Sequence, residues 1–471
     1  MKSACIAVVI CLTIVVSCIA ISSSAAGAAP QSVGWRTDGT GKYPSAKPPT
    51  TWSATQSVLW KTPMPGVGNG SPVINGGKLF VCVAPATLVC VNVADGKILW
   101  QRSNELTDIR PPSEAAQIKA AQAQTAALEK ELGQLANDIK QLKTKLQDSP
   151  NDADLKAKLS DAEQKQAADQ RELEPLRAAW YYLPFTHPTN GYASFTPVTD
   201  GSRVFAVFGT GVVAAYDLSG KRLWARMLDK PKIMWGASTS PIIVAGKLIV
   251  HLQSATAVDP ATGRIIWQTP LQPSYGTPAA AKIGGVDVIV TSAGDIVRVA
   301  DGVVLAKGVS KLDYASPLLD KDIVYFIQNG GKAIKLPAAI TGDTAATTAL
   351  WETKPRNDRY YASPIIHEGL IYAITQANWF SCIDAATGAV VYEKLLNLGK
   401  GTCYPSVTFA GGLLFASNDN GATIVIKPGR EYQEVAANSL EPFRGSPVFI
   451  GDRLYIHGQQ NLYCLRASKA K

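Results

Sequence analysis

Cysteine is present in this sequence, but not in any arrangement that builds a framework. Of eight Cys in 471 residues, Cys5, Cys11 and Cys18 lie in an apolar N-terminal run, leaving Cys82, Cys90, Cys382, Cys403 and Cys464. An odd, scattered set excludes a disulfide scaffold, no two Cys are adjacent, and no C-x-x-C-H string is present to attach haem. Histidine is scarcer: His187, His251, His367 and His457 are isolated, so no ligand spacing for a transition metal can be assembled from them. His251 and His457 share one register in different repeats and read as packing residues. The stretch "SNDNGA" at Ser417 has calcium-loop letters without the downstream bidentate Glu, and reads as a hairpin turn. The formal net charge is +9, yet Lys and Arg are dispersed and no basic run is interleaved with aromatics, which argues against nucleic acid as a partner. After Pro30 no apolar run is long enough to span a bilayer.

The N-terminus is different. Lys2 precedes an apolar run from Ala4 to Ile21, followed by "SSSAAGAAP", whose small residues suit signal-peptide cleavage within Ala26 to Ala29. Residues 1–29 therefore read as an export segment. Two other readings stand beside it: "VVSC" is a loose lipobox that would leave a lipid on Cys18, and the run just reaches the length of a retained membrane anchor. Each puts the mature chain in the periplasm or at the cell envelope.

What is abundant is Gly and Pro, 39 and 29 residues, in a chain with 46% apolar and 18% charged residues. This is the profile of a globular protein rich in turns and strands. A Ser/Thr-Pro pair followed by two β-rich runs opens a unit at Ser71, Thr196, Ser240, Thr277, Ser316, Ser363, Pro405 and Ser446, at intervals of 37 to 47 residues except the first. Most units end on a Gly four residues ahead of an aromatic, as in "DGKILW" at Trp100, "SGKRLW" at Trp224, "TGRIIW" at Trp267 and "TGAVVY" at Tyr392. Eight units of about 40 residues with four short strands each predict an all-β, eight-bladed β-propeller of antiparallel blades. Trp100, Trp224, Trp267, Trp351 and Tyr392 are read as packing between blades, and the Gly as supplying the turn's positive dihedral. Cys90, Cys382 and Cys464 sit where other units carry Ala215 and Ala257, so they read as small core residues. The eighth unit lacks an outer strand, whereas "SVLWKTPM" (57–64) is an outer strand without a blade; their union would close the ring.

Between Trp100 and Thr196 lie about 80 surplus residues. Ser113 can cap a helix. Leu128, Leu132, Leu135, Ile139, Leu142 and Leu146 then follow heptad spacing, "DSPND" breaks it, and Leu155, Leu159, Ala162, Leu173 and Leu176 resume it, interrupted at Gln166 and Asp169. An antiparallel coiled-coil hairpin at 112–180 is predicted, dividing the propeller into 30–111 and 181–471. Its leftover face is a candidate for a partner or for self-association.

The strings "AVDPATGRIIW" and "CIDAATGAVVY" give A-x-D-x-x-T-G-x-x-x-W, and by them the mature chain resembles the PQQ-like eight-bladed propeller family. That family includes quinoprotein alcohol dehydrogenases and the outer-membrane assembly lipoprotein BamB, so the resemblance implies a fold and two competing functions. A dehydrogenase would imply PQQ with calcium, and usually an adjacent-Cys disulfide, which this sequence lacks. Asp259 and Asp384 fall at the family's turn-forming position and are not taken as ligands. We therefore expect an exported binding or assembly scaffold of the envelope without a cofactor, the alternative being a PQQ-dependent alcohol or sugar dehydrogenase.

One set of residues points to a binding surface. Two positions ahead of the Ser/Thr that opens a blade stand Tyr275, Tyr314, Tyr361 and Tyr404, with Arg444 in the eighth blade and Asn69 in the first. Tyr192 and Trp235 lie slightly earlier in their loops, and Arg359 is adjacent to this set. Equivalent loops emerge on one face of a propeller, which predicts a partial aromatic rim for an envelope protein, an extended peptide or a glycan.

Overall fold

The computed structural model describes residues 33–467. Residues 1–29, expected to be an export segment, and Cys18 lie outside the described residues. Eight sheets follow the eight repeats, and within each repeat the strands run antiparallel from the channel outwards in chain order; the seventh and eighth sheets each gain one further strand from the N-terminal part of the chain. Val58–Pro63 is the outer strand of the last sheet, with Trp60 opposite Cys464, so the first ribbon of the propeller closes the ring as expected.

The outer-strand Trp explains the recurring string in more detail than the sequence suggests. Each stands opposite a small residue on the third strand: Trp100 on Cys90, Trp224 on Ala215, Trp267 on Ala257, Trp351 on Ala333. A bulge beside the pair re-aims the side chain towards the following blade. There the indole N–H donates to a backbone carbonyl of that blade: Trp60 to Val93 at 3.0 Å, Trp224 to Pro260 at 3.0 Å, Trp267 to Val299 at 2.9 Å and Trp351 to Ala385 at 3.0 Å. The ring face lies on the glycine of that blade's own string. A Cβ on Gly96 would sit 2.7 Å from the Trp60 ring, one on Gly220 2.7 Å from Trp100, and one on Gly302 2.7 Å from Trp267. The Gly and Trp of one string therefore belong to two different joints. The Gly needs its positive φ for the turn and also its missing side chain for the neighbouring indole.

A second belt runs around the channel. The backbone N–H of Ser71 donates to Thr196 Oγ1, Thr196 to Ser240 Oγ, Ser240 to Thr277 Oγ1, Ser316 to Ser363 Oγ, Ser363 to Ser406 Oγ and Ser406 to Ser446 Oγ, all at 3.0–3.1 Å. The Ser/Thr that opens a unit is thus an inter-blade clasp at six of the eight joints. In the seventh unit it is Ser406, one residue after the Pro405 at which the pattern was aligned.

Residues 33–43 were not anticipated to have a role. The N–H of Thr199 in the second blade donates to the Val33 carbonyl at 2.8 Å, and Lys42–Tyr43 pairs in parallel with the innermost strand of the seventh. In an eight-membered ring those blades stand three places apart, and Arg36 between them reaches the sixth blade, which faces the second, so the segment crosses the channel. Midway, Arg36 is 2% exposed and donates to the carbonyls of Pro364 at 2.8 Å and Val407 at 2.9 Å, and burial draws its pKa down to about 10. Trp35, beside it, lines cavities on both sides of the crossing.

The insertion is a helical hairpin, α1 (Pro112–Asp148) and α2 (Ala153–Ala178), which pack on each other. Cross-pairs Lys143–Glu163 at 2.8 Å, Lys165–Glu131 at 2.6 Å and Arg177–Glu129 at 2.9 Å fix the antiparallel register. Ser113 is not the cap. The helix starts one residue earlier with Pro112, whose fixed φ suits the first helical turn and whose missing N–H costs nothing there. At the root, Arg110 stacks over Trp180 at 4.3 Å and Lys230 Nζ donates to the Ala179 carbonyl at 3.0 Å, tying the arm to the second and third blades. No helix among the described residues is long and apolar enough to cross a membrane.

The five cysteines among the described residues are free and buried. Burial pushes the Cys90 thiol up to about 12 and that of Cys382 to about 11, so both stay protonated. Asp259 accepts the N–H groups of Ala261 and Thr262, and Asp384 those of Ala386 and Thr387, so both cap turns as expected.

Candidate functional site

The loops that enter the blades converge on a cavity of about 200 Å³ at one mouth of the channel. Eight of the nine rim residues named from the sequence line it: Asn69, Trp235, Tyr275, Tyr314, Arg359, Tyr361, Tyr404 and Arg444. The tyrosines form a continuous wall. Ring centroids are 5.8 Å apart from Tyr275 to Tyr314, 4.7 Å from Tyr314 to Tyr361 and 5.1 Å from Tyr361 to Tyr404, with the Arg444 guanidinium 5.3 Å from the Tyr404 ring. Arg359 Nη1 donates to the Tyr361 hydroxyl at 3.3 Å. Partial burial raises the Tyr275 and Tyr404 pKa, keeping both phenols as donors at neutral pH.

Tyr192 is the exception. It lies four positions ahead of Thr196 instead of two, and its hydroxyl donates to the Pro184 carbonyl at 2.9 Å, outside the cavity. The place at the correct offset belongs to Ser194, and in the third blade to Ser238; both line the cavity. The two-residue offset that identified the tyrosines would have found these serines, had it been applied without preference for aromatics.

The opposite wall is polar and comes partly from the segment that returns from the hairpin. Asn69 Nδ2 donates to the carbonyls of Thr189 and Asn190 and to Ser194 Oγ, and Arg444 Nη1 donates to the Thr189 carbonyl at 2.6 Å. Thr189 and Asn190 line the cavity, and nothing in the repeat pattern marks them. Trp35 supplies the floor. Trp235, which lines the cavity, is 42% exposed with His187 packed on it at 4.2 Å, and Met234 and Phe185, next to these two in sequence, are 75% and 69% exposed.

This chemistry does not fit calcium-bound PQQ. Calcium takes six to eight oxygen ligands with carboxylates among them, whereas no Asp or Glu lines the cavity and the two charged residues there are arginines. No cluster of His, Cys, Asp or Glu suited to a metal occurs among the described residues.

No curated protein sequence matches this chain. A sequence profile described as "Outer membrane protein assembly factor BamB" matches residues 50–142, 183–306 and 305–471. Among solved structures, a europium-containing methanol dehydrogenase is similar at TM-score 0.55 and 12% identity, covering 92% of this chain and 90% of its own. The quinohemoprotein alcohol dehydrogenase ADHIIG of Pseudomonas putida HK5 gives TM-score 0.54 and 10% identity over 94% of this chain and 81% of its own. BamB of Moraxella catarrhalis gives TM-score 0.47 and 13% identity over 58% of this chain and 86% of its own. With the profile spanning most of the sequence and the repeats forming eight closed blades, the chain belongs to the PQQ-like propeller family described by outer membrane protein assembly factor BamB.

Proposed function

We propose that this protein is an exported, non-enzymatic binding scaffold of the cell envelope, and that the tyrosine-walled funnel is where it holds its ligand or partner. The supporting observation is the make-up of the cavity: four contacting tyrosines, two arginines and many hydroxyls, with no Asp, Glu, His, Lys or Cys among the lining residues to serve as an ordinary base or nucleophile. The exposed Trp235 on its lining, with exposed Met234 and Phe185 close in sequence to it and to His187, adds apolar surface of the kind that marks interaction sites. The family profile's description as an assembly factor agrees with this reading. The hairpin is a second candidate contact for a partner protein.

The test is capture of envelope proteins by the wild type and by a Tyr314→Ala/Tyr361→Ala/Tyr404→Ala variant. Lost capture with an unchanged melting temperature supports the funnel; lost stability instead makes the tyrosines mere ties between loops. The coverage of the two dehydrogenases keeps a quinoprotein alcohol or sugar dehydrogenase as the second reading. Mixing the protein with PQQ and calcium decides it: a stoichiometric absorbance change with dye reduction would replace the scaffold reading.

A further inference from the structure

The hydrogen-bonding groups of the funnel are out of balance. Thr196, Ser240, Thr277, Ser363, Ser406 and Ser446 each use the side-chain oxygen to accept a backbone N–H, and among the described residues none donates its own proton to a protein acceptor. A ring of O–H donors is left for whatever fills the cavity. Arg444 Nε is buried without a hydrogen-bond partner, its nearest carboxylate oxygen, on Asp419, standing 3.6 Å away. Arg359 is exposed and bonded to one phenol. The two guanidiniums flank the stacked Tyr361–Tyr404 pair; Asp419 stands behind Arg444 and Asp358 beside Arg359, but neither carboxylate lines the cavity, so the side open to a ligand is cationic. One lining residue has the opposite need: the Oδ1 of Asn69 is buried and lacks a donor.

These demands describe a ligand with an apolar face for the tyrosine wall, an anionic group for the arginines, further oxygens for the hydroxyl ring, and a hydroxyl to give to Asn69. A sugar ring carrying an acid meets all four. A peptide fits less well. It would be gripped by adding a strand to a free sheet edge, but six backbone N–H groups at this level are already committed to the inter-blade belt. With Trp35 as floor, the chain cannot thread through. At about 200 Å³ the cavity is below the ~300–1,000 Å³ of drug-sized ligand sites, which suits a single terminal ring. Resting on the reading of the funnel as a binding site, we propose that it holds the end of an anionic saccharide, its acid group facing Arg359 and Arg444 and the rest of the chain leaving past Trp235.

The experiment is isothermal titration with trigalacturonic acid, with its fully methyl-esterified form, which keeps the sugar and removes the charge, and with triglutamate as an anionic peptide. A heparin-derived tetrasaccharide distinguishes sulfate from carboxylate. The expected result is binding of one or both acidic saccharides, at least tenfold weaker binding of the uncharged ester if the carboxylate saccharide is the one bound, and a tenfold or greater loss in Arg444→Gln. Since Arg444 also ties Thr189, Arg359→Gln is the second variant; it breaks no backbone contact and should show the same loss with unchanged melting. Equal binding of the ester, or binding of either acidic saccharide unaffected by Arg359→Gln, overturns the role of the acid group. Triglutamate binding that is lost in Tyr361→Ala, with neither saccharide bound, overturns the saccharide while the funnel remains a binding site. Silence from every probe also overturns it, and the scaffold reading is then judged by the envelope capture alone.

Discussion

At the scale of single residues, Gly302 shows how one position can carry two constraints. Its φ of +79° is costly for any side chain, and a Cβ there would meet the Trp267 ring at 2.7 Å. Gly246, at φ +71°, has nothing within 4 Å of its missing Cβ. Gly246→Ala should cost about 1 kcal/mol, the left-handed strain alone, and Gly302→Ala about 3 kcal/mol, because overpacking adds to it. Equal costs in urea unfolding would mean that the indole contact contributes nothing. His251 gives a second residue-level prediction. Burial lowers its pKa from 6.5 to about 4, so the folded state favours the neutral ring. Above pH 6.5 both states are neutral and there is no penalty; as pH falls from 6.5 to about 4 the unfolded chain takes up the proton first and stability declines by about 3 kcal/mol. His251→Leu should flatten the stability curve by that amount between pH 7 and 4. The turn role of the glycines was legible because dihedral demands are local. Their contact with the preceding blade's Trp was not, because it pairs residues from different repeats.

At the scale of elements, the hairpin is the separable part. α1 and α2 find their packing in one another and at their root. Replacing residues 113–178 by a short Gly-Ser linker should remove the helical circular dichroism and leave a cooperative β-rich unfolding transition within a few degrees of the parent. Global unfolding of the shortened chain would instead make the arm part of the core. Heptad spacing made both helices readable, since every a/d leucine reports the same seam. The hairpin's first bound, residue 112, agrees with the helix start, but Ser113 lies inside the first turn and the cap position falls to Pro111, because Pro112 already fits the first helical turn. The return segment illustrates the opposite limit. Thr189 and Asn190 belong to no repeat, so only the fold reveals that they complete the funnel beside Asn69. Tyr192 was drawn into the rim by residue type, whereas position relative to the blade decides which side chains reach the channel.

At the scale of the whole molecule, eight repeats and an orphan strand were enough to predict a closed ring, because an outer strand without a blade and a blade without an outer strand have only one economical pairing. Trp60 is the bolt of that closure, 8% exposed and bonded to Val93 of the first blade. Trp60→Ala should cost about 3 kcal/mol, in line with large-to-small core changes. It should also expose residues 33–64 to limited proteolysis at denaturant concentrations where the blades persist. Release of that fragment only together with global unfolding would show that the closure has no separate weakness. The crossing of the channel by residues 33–43 was illegible, since "GWRTDGTGKY" repeats nowhere else in the chain.

That crossing also orders events in time. Residues 33–43 end up seated among the second, sixth and seventh blades, and the neighbouring ribbon Val58–Pro63 waits for a berth beside Asn461–Arg466 of the eighth repeat. Blades can stack on their sequence neighbours, but the latch has no keeper until the eighth repeat has formed. Until that repeat folds the ring stands ajar with its first ribbon unpaired, so closure is the contact of longest sequence separation and the slowest to be rewarded.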